Sequence, residues 1–220
     1  DGVSRVTYAT DAVASTLPVA TALAVVFVGL EVAHPLVFGE SAGTATTVLT
    51  GVCAVFAAFV ALLAVSGRVT TSNAYPLLAL VVVGAVATGF VHLVEARDPR
   101  DTVPLLLLEV GIGAVLLARA WFLGCTALVW AAIVGAALLV GGPTATWAYW
   151  LFYLGVATVL AAVVHELRRR NLRIAADAVD RAMRAATEDA ATGLVNRRGL
   201  TMLGREVGRA SCRERVCSTV

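Results

Sequence analysis

Stretches of about twenty apolar residues, divided by short polar joints, constrain this chain more than any other feature. A helix rises about 1.5 Å per residue, so such a stretch reaches across a hydrocarbon core of roughly 30 Å. In that medium backbone polar groups must be satisfied within the protein, which favours helices. The composition agrees: 220 residues are 59% hydrophobic and 15% charged, with a mean hydropathy of +0.85. A soluble domain of this size cannot hide so much apolar surface, so the chain belongs to the integral membrane class.

Six spans are predicted, at residues 17–38, 45–65, 75–94, 103–118, 121–140 and 145–164. Residues 1–16 read as a polar lead-in. Pro35 is expected to kink or end the first helix, and Gly141, Gly142 and Pro143 to break the chain before the sixth. The joint between spans four and five is the least marked, with Arg119 its single charge. With both termini cytoplasmic, Arg5, Arg68, Arg119 and Arg168 to Arg170 lie inside. Arg97 and Arg100 lie outside beside Glu95, Asp98 and Asp101. That distribution fits the positive-inside rule for a bacterial inner membrane. Trp147, Tyr149 and Trp150 fit an outer aromatic belt, and Trp121 an inner one. Pairs such as Gly84 and Gly89, or Gly111 and Gly113, suit close helix packing. Cys53 and Cys125 fall at opposite depths, too far apart for a disulfide.

Every basic residue is Arg, and Ala and Val dominate, as in a GC-rich bacterial genome. The formal charge of +2 gives no reason to expect a nucleic-acid partner.

Ionisable residues gather toward the outer ends of the spans. Glu31 and His34 are three apart, as are His92 and Glu95, a spacing that places each pair on one helix face. Glu109 sits a few residues into span four. If these five side chains meet, imidazole with carboxylate suits zinc, iron or manganese, and two His suit a haem. A ligand or proton sensor without metal is a second reading. A third is interfacial side chains that snorkel into water.

Beyond residue 164 the sequence becomes a charged, Ala- and Arg-rich helix former with no Gly or Pro before Gly193. Leu172, Ala175, Val179, Ala182 and Ala186 make a weak heptad seam. It is suited to a homodimer whose linker helices transmit a signal, or to a plain spacer. Asp177 with Arg181 and Asp180 with Arg184 are i,i+4 pairs. His165-Glu166-Leu167-Arg168 is similar to the start of a histidine-kinase phosphoacceptor box, but Arg169 and Arg170 replace its Thr-Pro. Placed at the membrane edge, the His and Arg side chains are expected to anchor the helix among inner headgroups.

Residues 188–200 read E-D-A-A-T-G-L-V-N-R-R-G-L. Thr192-Gly193 is suited to end one helix, and Asp189 to pair with Arg197 or Arg198 across the turn. The stretch resembles the opening of the GGDEF family of diguanylate cyclases, D-x-L-T-G-L-x-N-R-R. Asp189, Thr192, Gly193, Leu194, Asn196, Arg197 and Arg198 stand in register, and Ala191 replaces the first Leu. The resemblance implies an α/β domain that joins two GTP into cyclic di-GMP with Mg²⁺. In that family the segment is the hinge entering the domain. The sequence stops before the family's signature and metal-binding acids, so it names no catalytic residue here. Residues 208–220 resemble one reading frame of a sequencing adapter, and without them the formal charge falls to zero.

The expected organisation is a lead-in at 1–16, a six-helix all-α membrane domain at 17–164 and a linker helix at 165–188. The start of a GGDEF domain at 189–207 and a non-native tail at 208–220 complete it. The expected function is the membrane sensor region of a diguanylate cyclase. The alternatives are a non-enzymatic receptor with a degenerate domain, and a small transporter.

Overall fold

A computed structural model describes residues 2–33 and 43–187. His34, Pro35, the start of the GGDEF-like domain and the tail lie outside the described residues. Among the described residues all regular structure is helical: α1 (Gly2–Ala33), α2 (Thr44–Val65), α3 (Ala74–Ala96), a 3-10 turn (Pro99–Thr102), α4 (Val103–Val115), α5 (Arg119–Val140) and α6 (Thr144–Thr187). By contacts the chain divides into two compact units, residues 1–170 and 171–220.

Among the described residues, five helices are long and apolar enough to cross a membrane: Thr10–Leu30 within α1, Thr44–Val65, Ala74–Ala96, Arg119–Val140 and Thr144–Thr187. Their outward faces carry Val52, Val55, Phe59, Leu138, Phe152 and Val159, all strongly exposed. Such faces suit contact with lipid rather than water. The predicted lead-in is not separate, because α1 begins at Gly2 and passes through Pro18 as one helix.

Contacts at helix ends fix the directions within residues 1–170. The Tyr75 hydroxyl at the start of α3 donates to the Tyr8 carbonyl of α1 (3.1 Å). Glu95 at the end of α3 meets the start of α2. Leu93, Ala136 and Trp147 pack together, setting the end of α3 beside the end of α5 and the start of α6. Thus α1, α3 and α5 run one way, and α2, α4 and α6 return.

The fourth predicted span, 103–118, is not one helix. α4 has 13 residues, about 20 Å of rise. Its chain then turns extended at Leu116 (φ −93°, ψ 89°) and Ala118 (φ −78°, ψ 120°). Three non-helical residues add up to about 10 Å, so the segment still joins one end of the bundle to the other. Non-helical backbone at this depth is tolerated only inside protein. Leu116 and Leu117 are fully buried, which meets that requirement.

Local chemistry accounts for the joints. Asp98 accepts the Arg100 N–H (2.9 Å) to start the 3-10 turn. Gly141 and Gly142, at φ 71° and 102°, end α5 in a region that L side chains rarely enter. The core lies between α3, α4, α5 and α6, around Leu78, Leu105, Ile112, Val129, Ile133 and Leu154. Trp147 belongs inside rather than to an outer belt: it is buried, and its indole N–H donates to the Gly141 carbonyl (2.6 Å). Tyr149, by contrast, is exposed. Cys53 and Cys125 are buried free thiols, as expected for side chains used as small apolar groups.

Candidate functional site

Three polar places stand out in the apolar bundle, and they lie at different depths. One is built where α3 ends. Glu95 takes the N–H groups of Ala45 (3.2 Å) and Thr46 (3.0 Å) and the Thr46 hydroxyl (2.5 Å). It therefore caps the start of α2 from another helix, satisfying donors that α2 cannot satisfy itself. A Cβ added to Gly43 would collide with that carboxylate, so the close approach needs glycine there. One turn earlier, His92 directs Nε2 toward Asp101 of the 3-10 turn (3.7 Å). The i,i+3 spacing of His92 and Glu95 thus holds two neighbouring side chains with different partners. Replacing Glu95 with Ala should fray the first turn of α2. Amide hydrogen exchange at Thr46 and Thr47 would then rise several-fold, with little change in the middle of that helix.

Beside this corner, α1, α2, α3 and α4 border a half-open cavity of about 550 Å³. Its wall is mostly aliphatic and includes Leu23, Phe27, Ala85, Leu105 and Leu107. Thr46, Thr50 and Thr88 interrupt it, and His92 and Asp101 stand at its outer edge.

Glu109 occupies the second place. It is fully buried, and neither carboxyl oxygen makes a hydrogen bond among the described residues. Its polar neighbours are the hydroxyls of Thr126 on α5 and Thr158 on α6. The Trp130 indole also donates to Thr158 (3.0 Å). Two packing contacts bracket its position along the bundle: Leu105 fills the space beside Gly89 toward the end of α3, and Gly113 touches Ala161 toward the opposite end. Glu109 thus lies midway, on the α5–α6 side of α4, while the cavity lies on the side of Pro104, Leu107 and Gly111. It does not join His92 and Glu95. Among the described residues no three His, Cys, Asp or Glu form a set able to hold a metal. The Glu31 side chain and His34 fall outside the described residues.

The third place is at the opposite end of the bundle, where α1 and α3 begin, and sequence reasoning misjudged it. Of the three consecutive Arg, only Arg170 projects outward, bonding the exposed Glu166 (3.5 Å). Arg168 turns into the bundle. Its Nη2 donates to both Asp11 oxygens (3.0 and 3.3 Å) and to Ser15 Oγ (3.3 Å) on α1. Its Nη1 donates to the Ala114 carbonyl. That carbonyl lies in the last turn of α4, where early termination leaves acceptors unpaired and the helix dipole favours a cation. Arg169 is buried with its guanidinium over the Tyr8 ring at 5.1 Å. His165 is buried and stacked on Phe122, ring centroids 4.4 Å apart. A phosphoacceptor His must be reachable, and this one is not.

These residues are therefore a clamp between the bundle and α6 rather than headgroup anchors. Only the extended end of α4 could have announced it: a helix stopped short inside apolar surroundings requires a donor from elsewhere. Farther along α6, Arg181 Nε donates to the Asp177 backbone carbonyl (3.1 Å), so the expected carboxylate pair is made to the main chain instead. The Asp180 side chain and the hinge residues Asp189 to Arg198 lie outside the described residues. No protein-family description, curated protein or solved structure matches this chain.

Proposed function

We propose that this chain is the sensor region of a bacterial inner-membrane diguanylate cyclase, with six crossings and a cytoplasmic C-terminus. The observation that carries the reading is the clamp on Arg168. A helix that begins among apolar residues and continues into charged ones is held, where it leaves the bundle, by α1 and by the end of α4 together. Rearrangement of either helix therefore acts on α6 directly. The resemblance of Asp189 to Arg198 to the GGDEF hinge supplies the output. α4 with its extended residues makes the fourth crossing, which restores the basic-inside arrangement of Arg68, Arg119 and Arg170.

Mg²⁺ and GTP belong to the complete cyclase domain, where the metal neutralises phosphate charge. No residue of this chain is assigned to them. Two such domains must face each other to join two GTP, and the seam from Leu172 to Ala186 suits a homodimer. Val179 on that seam is exposed in the single chain, as a dimer contact would be.

Fusing residues 1–198 in frame to the remainder of an active GGDEF domain tests this. The fusion should reside in the membrane and raise cellular cyclic di-GMP, and Arg168→Ala should change that output several-fold. An active fusion indifferent to Arg168, or a C-terminal reporter found outside the cytoplasm, overturns the reading. An inactive natural domain joined to a bundle that still responds would favour the non-enzymatic receptor.

A further inference from the structure

The cavity between α1, α2, α3 and α4 has a polarity that selects its occupant. Its three threonines have all committed their protons. Thr46 Oγ1 donates to Glu95 (2.5 Å), Thr50 Oγ1 to the Thr46 carbonyl (2.8 Å) and Thr88 Oγ1 to the Gly84 carbonyl (2.9 Å). Each hydroxyl therefore offers the cavity lone pairs alone. Where α4 begins, the Val103 N–H is spent on the Arg100 carbonyl, and Pro104 has none. Asp101 at the edge adds a carboxylate, another acceptor. The His92 imidazole, which faces Asp101 at 3.7 Å, is the one N–H-bearing side chain among the named lining residues; the other polar side chains there accept hydrogen bonds, and Asp101 with nearby Glu95 opposes an anion.

We infer that this cavity is a binding site for an uncharged hydrophobe with a hydrogen-bond-donating end, a long-chain alcohol or a phenol. The apolar body lies against Leu23, Phe27 and Leu107, and the hydroxyl donates to Thr46, Thr50, Thr88 or Asp101. A volume of about 550 Å³ lies within the usual range for small-molecule sites. Such a ligand enters from the bilayer, where it is already concentrated. It contacts α1 and α4, the two helices that Arg168 also holds. Binding is a property of the chain alone, so this inference and the cyclase reading fail separately.

The test uses the full chain in phosphatidylcholine nanodiscs and a long-chain primary alcohol bearing a diazirine, with crosslinks mapped by mass spectrometry. Labelling should fall on Leu23, Leu107 and their neighbours, and should saturate. The unmodified alcohol should compete about three- to tenfold better than its methyl ether, the worth of one hydrogen bond. Ala85→Phe, which fills the cavity, should abolish saturable labelling. Thr50→Val, which keeps the volume and removes an acceptor, should narrow the preference for alcohol over ether. Equal competition by the ether, or unchanged labelling in a folded Ala85→Phe protein, would show mere partitioning and overturn the inference. So would stronger competition by the matching fatty acid or alkylamine.

Discussion

Arg168→Ala should cost the bundle about 2–3 kcal/mol of stability, the largest loss expected from any single charged residue here. Two effects add. The Ala114 carbonyl loses its donor in a half-buried place, worth about 1–3 kcal/mol where no water replaces it. Asp11 also loses its counter-charge, and breaking a buried pair from one side costs about 3–5 kcal/mol. The Arg168 and Asp11 side chains are 35% and 18% exposed, so solvent screening reduces the second figure to a fraction of that range. Unfolding in detergent, followed by circular dichroism, measures the sum. Asp11→Asn should cost less, since it leaves the Ala114 bond in place. The double variant should be less destabilised than the two losses added, because each single change strands the other's partner. Strict additivity would mean that the ion pair contributes nothing.

Gly113→Val should be comparably severe for a different reason. A Cβ on Gly113 would land on the carbonyl oxygen of Ala161, which is α6 backbone rather than a side chain able to swing away. The two helices must move apart, opening the packing around Ile112 and Leu154. Overpacking of this kind costs about 1–3 kcal/mol, and more where backbone must shift. Gly111→Val is the matched control, since a Cβ there meets nothing within 4 Å. It should leave thermal stability nearly unchanged. If both variants fall equally, tight contact between α4 and α6 is not the cause.

The apolar helices were legible because length and hydropathy state them directly. The break at Gly141, Gly142 and Pro143 was legible for a similar reason, since only special backbone residues tolerate it. The stop in α4 was not. Leu116, Leu117 and Ala118 are as apolar as any helical residue, so hydropathy cannot distinguish a non-helical trio from another helical turn. The burial of Glu109 could be read after the fact, because Leu105, Glu109 and Ile112 follow a helical stripe and all three are buried. Its neighbours on α5 and α6 depended on how helices pack, which one sequence does not state. The same holds for Glu95, whose role as a cap depends on a helix that begins fifty residues earlier. Three consecutive Arg give no sign of which one turns inward.

Asp11 and Arg168 are separated by 157 positions. During synthesis, α1 enters the bilayer long before its partner exists. Until α6 follows, the Asp11 carboxylate and the Ala114 carbonyl must both wait on water or on neighbouring lipid headgroups. The helix that closes this bundle is therefore made well after α1, and until it arrives the chain carries an open charge near the start of α1.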